Sequence, residues 1–168
     1  FGFDTACKVY SELIGNLLRD CLSSKKYYHF VKLMGRSASH ITLECSLQTH
    51  PNMAIISEEV AEEKKTLAEI TNEIADTICQ RADQGKNYGL VLVPEGLVEF
   101  VPEIKALIAA LNDLLSPDKS LNDLIKSMVT HKEKMVLVCG NLVPELAACF
   151  NSFPRSIQEQ LLVDRDPH

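Results

Sequence analysis

Tyr88-Gly89-Leu90-Val91-Leu92-Val93 is the stretch that decides the fold. It is a continuous apolar run with no polar residue at alternate positions, the pattern of a strand covered on both faces. Gly85-Lys86-Asn87 leads into it and Pro94-Glu95-Gly96 turns the chain out of it. A doubly covered strand belongs in a parallel sheet flanked by helices, and the preceding sequence supplies both. Thr66 and Glu69 form a T-x-x-E capping box. The helix it opens carries Leu67, Ile70, Ile74, Ile78 and Ala82 on one side and runs to about Gln84. Residues 53–56 form a compact apolar strand after the break at Pro51-Asn52. Residues 39–50 read as a helix with Ile41, Leu43, Cys45 and Leu47 available for packing. Residues 28–33 are a β-type run followed by Gly35. Residues 4–22 read as a helix, with Ala6, Val9, Tyr10, Leu13, Ile14, Leu17, Leu18, Cys21 and Leu22 at i, i+3, i+4, i+7 spacing. Asp4 or Thr5 is its expected cap and Ser23-Ser24 its end. Helix and strand thus alternate three times over residues 1–100, which predicts an α/β fold with a parallel sheet flanked by helices.

Past residue 102 the pattern changes. Residues 104–115 and 121–129 are helical in period, with Ser116-Pro117-Asp118 between them. Residues 135–139 read equally as a short strand or as part of a helix. Residues 142–150 and 156–162 read as short helices, with Pro144 early in the first and Pro154 just before the second. The expected organisation is an α/β domain over 1–102 and a mostly helical part over 103–168.

The chain has 168 residues, 46% of them hydrophobic, enough for a sizeable core. Its 17 basic and 23 acidic residues give a net charge of −6, which argues against nucleic acid as a partner. No run of 18 apolar residues occurs, so no membrane-spanning helix is expected. The chain opens Phe1-Gly2-Phe3 without a Met or a basic-then-apolar leader, which suggests a fragment or a processed chain. Among Cys7, Cys21, Cys45, Cys79, Cys139 and Cys149 no two form a CxxC motif. They are expected to be buried free thiols of a reducing compartment. The five histidines form no HxxxH or HExxH pair, and no metal site is expected among them.

In a parallel sheet ligands bind beyond the carboxyl ends of the strands, and two loops qualify. In Met34-Gly35-Arg36-Ser37-Ala38-Ser39-His40, Gly35 permits close backbone approach and Arg36 offers a fork of donors to phosphate or carboxylate. The amides of Ser37–Ser39 would head the next helix and offer an anion site. In Val93-Pro94-Glu95-Gly96, Glu95 is a carboxylate placed to accept from sugar hydroxyls. The residues alone leave a plainer reading open for each: a strand-to-helix turn with a solvated Arg, and an ordinary turn carboxylate. Ser37 or Ser39 with His40 lacks the G-x-S-x-G elbow of a nucleophile. Glu58-Glu59 with Glu62-Glu63 reads as a solvated helix start, and Lys25-Lys26-Tyr27-Tyr28 as a basic loop before a strand. No G-x-x-x-x-G-K-[ST] loop is present.

At these loops the sequence resembles the pyrophosphate-dependent phosphofructokinases of the long, plant-type branch. The matching stretches are Phe1-Gly2-Phe3-Asp4-Thr5-Ala6, Tyr10-Ser11-Glu12-Leu13-Ile14-Gly15-Asn16, Met34-Gly35-Arg36-Ser37-Ala38-Ser39-His40 and Leu43-Glu44-Cys45. Gln48-Thr49-His50-Pro51-Asn52-Met53, Pro94-Glu95-Gly96-Leu97 and the end, Gln160-Leu161-Leu162 to Asp164-Arg165-Asp166-Pro167-His168, continue the series.

The resemblance implies a glycolytic transfer of a phosphoryl group from pyrophosphate to fructose 6-phosphate, with Mg²⁺, in a cytoplasmic homo- or hetero-oligomer. It implies sugar-phosphate contacts from Met34, Gly35, Arg36 and Glu95, with Arg36 also placing charge near the transferring phosphoryl. It implies that Lys26 and Tyr27 reach into the partner subunit's site. The family's glycine-rich pyrophosphate loop and its T-I-D loop, which carries the base, normally precede the GFDT segment, and a further segment of the sugar-phosphate clamp normally follows. The chain is therefore expected to be a central piece that is inactive alone, with Mg²⁺ held mainly by other parts. Residues 103–168 resemble the helical insertion of the long branch. A regulatory, non-catalytic subunit and ATP as donor stay open as alternatives.

Overall fold

Three strands, β1 (Tyr28–Leu33), β2 (Met53–Ala54) and β3 (Gly89–Pro94), pair in the order β1-β3-β2, and both pairings are parallel. The computed structural model describes residues 2–115, 128 and 130–162. It separates into two compact units, Phe1–Pro102 and Glu103–His168.

The apolar run at 88–93 takes the middle of the sheet, with Leu90, Val91 and Leu92 all buried. Its register runs from Tyr28 opposite Gly89 to Leu33 opposite Pro94, and on the other side Met53 and Ala54 face Val91 and Leu92. Gly89 is required at the entry to the strand: a Cβ there would lie 2.7 Å from the Tyr28 ring and from Asn52 Oδ1. That Asn52 oxygen accepts from the Leu90 amide at 2.9 Å. The second strand is shorter than the 53–56 expected, although the Ile55 amide still donates to the Leu92 carbonyl at 3.0 Å. The reason is that Ile56 already caps the next helix.

The helices of this unit are α1 (Phe3–Ser24), α2 (His40–Thr49), α3 (Ser57–Glu62), α4 (Leu67–Asp83) and α5 (Leu97–Phe100). Cys7 and Ile14 of α1 and Cys45 of α2 pack with Leu33, Leu90 and Leu92 of the sheet, with Tyr10, Leu17, Leu18 and Ile41 around them. The buried residues of α1 are Ala6 and the seven-residue series Cys7, Ile14, Cys21. Val9, Leu13 and Leu22, expected on the packed stripe, are more than half exposed. Val9 and Leu13 wind onto a separate flank of the helix, and Leu22 stands in its last turn. The cap of α1 is Gly2, with no side-chain hydrogen bond, rather than Asp4 or Thr5; Asp4 sits in the first turn, where its charge complements the helix dipole.

The Thr66–Glu69 capping box forms as expected. Thr66 Oγ1 accepts from the Glu69 amide at 3.2 Å, and Glu69 accepts from the Thr66 amide at 2.7 Å. At the far end of α4, Ala82 is exposed and Arg81 occupies the inward position. Its guanidinium donates to the Tyr28 hydroxyl at 3.2 Å and to the Tyr88 carbonyl at 2.8 Å, tying α4 to the entry of β1 and β3. All six cysteines are free, but only Cys7, Cys21 and Cys45 are buried; Cys139 and Cys149 are half-buried and Cys79 is exposed. Cys79 follows Ile78 by one residue and so turns off the packed face of α4. Burial, with Cys45, Glu44 and Asp4 alongside, pushes the Cys7 thiol up to about 11, so it serves as a small hydrophobe.

The second unit is helical among the described residues: α6 (Pro102–Leu114, beginning at the junction), α7 (His131–Asn141), α8 (Pro144–Ser152) and α9 (Arg155–Leu161). Residues 135–139, which read either way in the sequence, lie inside α7. Leu107, Leu111, Val138 and Phe150 form its core. The buried Gln158 amide donates to the Phe150 carbonyl at 3.0 Å, leaving its oxygen to meet His131 Nε2 at 3.1 Å. Apart from Met128, the helix expected over 121–129 lies outside the described residues, as do the turn at Ser116-Pro117-Asp118 and the closing stretch Asp164–His168.

Two substitutions test this packing in opposite directions. Leu92→Ala empties a fully buried position of the central strand and should cost about 2–5 kcal/mol in urea unfolding. Gly15→Ala adds a methyl group inside α1 where nothing lies within 4 Å, and should stabilise by roughly 0.5–1 kcal/mol.

Candidate functional site

Because the three strands are parallel, their carboxyl ends open on one edge of the sheet. Three connections leave from that edge: the Met34–Ser39 loop after β1, the residues from Ile55 to Ser57 after β2, and Glu95-Gly96 after β3. They are laced together by main-chain contacts. The Glu95 amide donates to the Leu33 carbonyl at 2.8 Å and the Gly96 amide to the Gly35 carbonyl at 3.0 Å, so the β1–β3 ladder continues past the strands into both turns. A Cβ on Gly96 would lie 2.0 Å from the Arg36 carbonyl oxygen and 2.7 Å from its carbon. Residue 96 must therefore be glycine for steric reasons alone, since its φ of −76° is open to any residue. Gly35 is needed for its conformation: its φ is +124°, and a Cβ there would lie 2.8 Å from the Ala38 carbonyl.

Arg36 and Glu95 thus spring from two turns whose backbones touch. Both side chains are exposed, and among the described residues neither has a hydrogen-bond or ion-pair partner. A guanidinium and a carboxylate on one edge, unpaired and open to solvent, offer donors and acceptors together, a combination suited to a ligand with both phosphate and hydroxyl groups. Met34 precedes them and borders a cleft of about 360 Å³ with Thr5, Ala6, Val9 and Tyr10 from the first turns of α1.

Of the amides expected to form an anion site at Ser37–Ser39, that of Ser39 is already in use. The Ser39 amide donates to Glu58 Oε1 at 2.8 Å, and Ser39 Oγ accepts from the Ser57 amide at 3.0 Å. A carboxylate of the chain itself therefore takes this amide at the head of α2. Burial pulls the Glu58 carboxyl upward, but the hydrogen bond from Ser39, with His40 nearby, outweighs it and holds the group below its ordinary value. Glu58 read in the sequence as part of a solvated acidic cluster. The available signal was its place just past the carboxyl end of a strand, the same place that singled out Arg36. Ser39 Oγ is engaged with a main-chain amide, and His40 is exposed, so the pair is not assembled as nucleophile and base.

Lys26 and Tyr27 lie at the amino end of β1, the opposite edge of the sheet from Arg36 and Glu95. Both are exposed, with the Lys26 ammonium 5.9 Å from the Tyr27 ring centre. Within one chain the structure does not bring them to the Arg36 edge. Among the described residues no three His, Cys, Asp or Glu side chains gather as a metal ion requires, and no helix is long and apolar enough to cross a membrane.

The phosphofructokinase family model matches residues 1–142. Over all 168 residues the chain is 55% identical to a pyrophosphate–fructose 6-phosphate 1-phosphotransferase of Entamoeba histolytica, of which it covers 30%. It is 52% identical over the same span to the beta subunit of the Solanum tuberosum enzyme, covering 27% of that subunit. To the alpha subunit of the Solanum tuberosum enzyme it is 44% identical over 162 residues, 96% of this chain and 24% of that one. The chain thus spans under a third of the length of these curated relatives.

Gly96→Ala should force the two turns apart and cost about 3 kcal/mol, the upper part of the range for overpacking, read by urea unfolding against Gly15→Ala as control. The Glu58 carboxyl is depressed in the folded state, so its contribution to stability is present above the ordinary carboxylate pKa and is lost as pH falls through the lower, folded value. Melting temperatures of the wild type and Glu58→Gln should therefore differ near neutral pH and converge as pH falls below the ordinary carboxylate range; a constant difference across that range contradicts the assignment.

Proposed function

The chain belongs to the phosphofructokinase family, and from that premise we propose that the protein of which it is part transfers a phosphoryl group from pyrophosphate to the 1-hydroxyl of fructose 6-phosphate. In this reaction the bond from the transferred phosphorus to the bridging oxygen breaks and a bond to the sugar oxygen forms. The hydroxyl proton passes to a base, orthophosphate leaves, and the product is fructose 1,6-bisphosphate, a glycolytic intermediate. The observation that supports the reading is the close approach of Gly96 to the Arg36 main chain, which brings the turns bearing Arg36 and Glu95 together at the carboxyl edge of a parallel sheet. The names and 52–55% identity of the relatives support pyrophosphate as donor and a catalytic role, in preference to ATP or a purely regulatory subunit.

Arg36 is assigned to the phosphate groups, where fixed positive charge is worth most as charge develops in the transition state. Glu95 is assigned to the sugar hydroxyls, and Met34 and Gly35 to the floor beneath them. Lys26 and Tyr27 are assigned to the sugar-phosphate site of a second subunit, a role supported by their place at the far end of β1. The base is assigned to the T-I-D loop of the family, outside this stretch. Mg²⁺, which would neutralise phosphate charge when bound, is assigned mainly to residues outside it as well. An assembly of like or related subunits in the cytoplasm completes the reading, supported by the alpha and beta names of the Solanum tuberosum relatives. The helical second unit is read as the insertion of the long branch.

In the full-length protein, Arg36→Ala should lower kcat by about a hundredfold, whereas Glu95→Ala should raise KM for fructose 6-phosphate by roughly ten- to a hundredfold, the cost of one hydrogen-bonded substrate contact. The 168 residues alone should show no turnover. Unchanged steady-state kinetics in both variants would remove Arg36 and Glu95 from the site.

A further inference from the structure

Arg36 occupies an exposed loop and has no side-chain partner among the described residues, so its position rests on the tethers of its backbone. On its amino side the tether is the contact with Gly96. Three residues on, the loop is held at Ser39, through two hydrogen bonds of opposite polarity to the start of α3. The Ser39 amide gives a proton to Glu58 Oε1, and Ser39 Oγ takes one from the Ser57 amide. Ser39 is 3% exposed and Ser57 1%, so both amides are shut away from water that could replace these partners. The bonds cross 19 and 18 residues of sequence. They join the loop after β1 to the segment after β2, much as Gly96 joins it to the turn after β3.

We propose that Glu58 is a positioning residue for Arg36: its carboxylate, acting through Ser39, fixes the far end of the loop so that the guanidinium is held where the transferring phosphoryl group will be. Glu58 makes no hydrogen bond or ion pair with Arg36 and reaches it only through Ser39. Its neighbours Glu59, Glu62 and Glu63 have no such bond to the loop, so the role belongs to this one carboxylate of the acidic cluster. Removing it leaves the Ser39 amide buried without an acceptor, and the loop regains a partner only by shifting. A shift of an ångström or so at a charged group is enough to cost a large factor in rate while leaving ground-state binding nearly intact.

The inference rests on the assignment of Arg36 to the phosphoryl group, and a double-mutant cycle in the full-length protein separates the two. Glu58→Ala should lower kcat by about tenfold with KM for fructose 6-phosphate changed by less than about threefold. Glu58→Gln, whose amide oxygen still accepts from Ser39, should keep at least about half of the wild-type kcat. Ser39→Ala, which removes only the acceptor for the Ser57 amide, should lose kcat in the same sense as Glu58→Ala and serves in its place if that variant does not fold. In the Arg36→Ala background, either alanine substitution should cost less than about a further twofold, because nothing remains to be positioned. A normal kcat for Glu58→Ala or Ser39→Ala, or an undiminished tenfold loss in the Arg36→Ala background, overturns the positioning role while leaving Arg36 in place. A normal kcat for Arg36→Ala overturns the site assignment itself, and the positioning role with it.

Discussion

The Gly96 amide reaches the Gly35 carbonyl at 3.0 Å, and the space where a side chain would begin at residue 96 is filled by the Arg36 carbonyl. Two turns that leave different strands, sixty residues apart in sequence, are thereby pressed into one surface. The contact is made of main chain alone, so it does not compete for the side chains that the surface presents. A hydrogen-bonded pair of side chains at the same place would have consumed the very groups a ligand needs. Here the backbone supplies the rigidity, and among the described residues Arg36 and Glu95 stay free of partners. That division of labour is what a preorganised polar site requires.

The same constraint explains the demands on the sheet beneath. For the turns to meet, β1 and β3 must be neighbours in register up to their last residues, and they are, through Leu33 opposite Pro94. The register depends in turn on the entry end, where Gly89 leaves room for Tyr28 and Arg81 bridges Tyr28 and Tyr88. The β2 exit, with Ser57 and Glu58, reaches Ser39 across the end of the central strand β3.

Much of the α/β unit was legible in the sequence because its signals are local. The unbroken apolar run of β3, the Thr66–Glu69 box and the two loops after strands each declare themselves within a few residues. What failed to show has a common cause. Val9, Leu13 and Ala82 satisfy the helical period and are exposed all the same, because the period fixes which residues share a side and not how wide a face the neighbours cover. The four-residue α5 is too short to carry a period at all. Arg36 and Glu95 could be chosen as candidates from their places after strands, but their adjacency depends on strand order, which no local pattern encodes. Glu58 was lost for a related reason: beside Glu59, Glu62 and Glu63 it is one acid among several, and only the fold distinguishes the one that reaches a buried amide.

The placement of Lys26 and Tyr27 follows from the stiffness of a strand. A six-residue strand spans about 20 Å, and β1 holds Lys26 beyond its amino end and Arg36 beyond its carboxyl end. No rotation of side chains closes that gap, and a break in β1 would destroy the register that brings Arg36 to Glu95. If both cations serve a sugar phosphate, they serve different molecules of it within one chain, each site drawing one group from either end of two different sheets. On the proposed assignment of both cations, the rigid strand keeps them apart, and each site would draw its second group from another subunit. On that assignment catalysis would depend on assembly without any moving part: a strand too rigid to bend can contribute to two sites only when another copy, or a related chain, brings its own carboxyl edge to meet it.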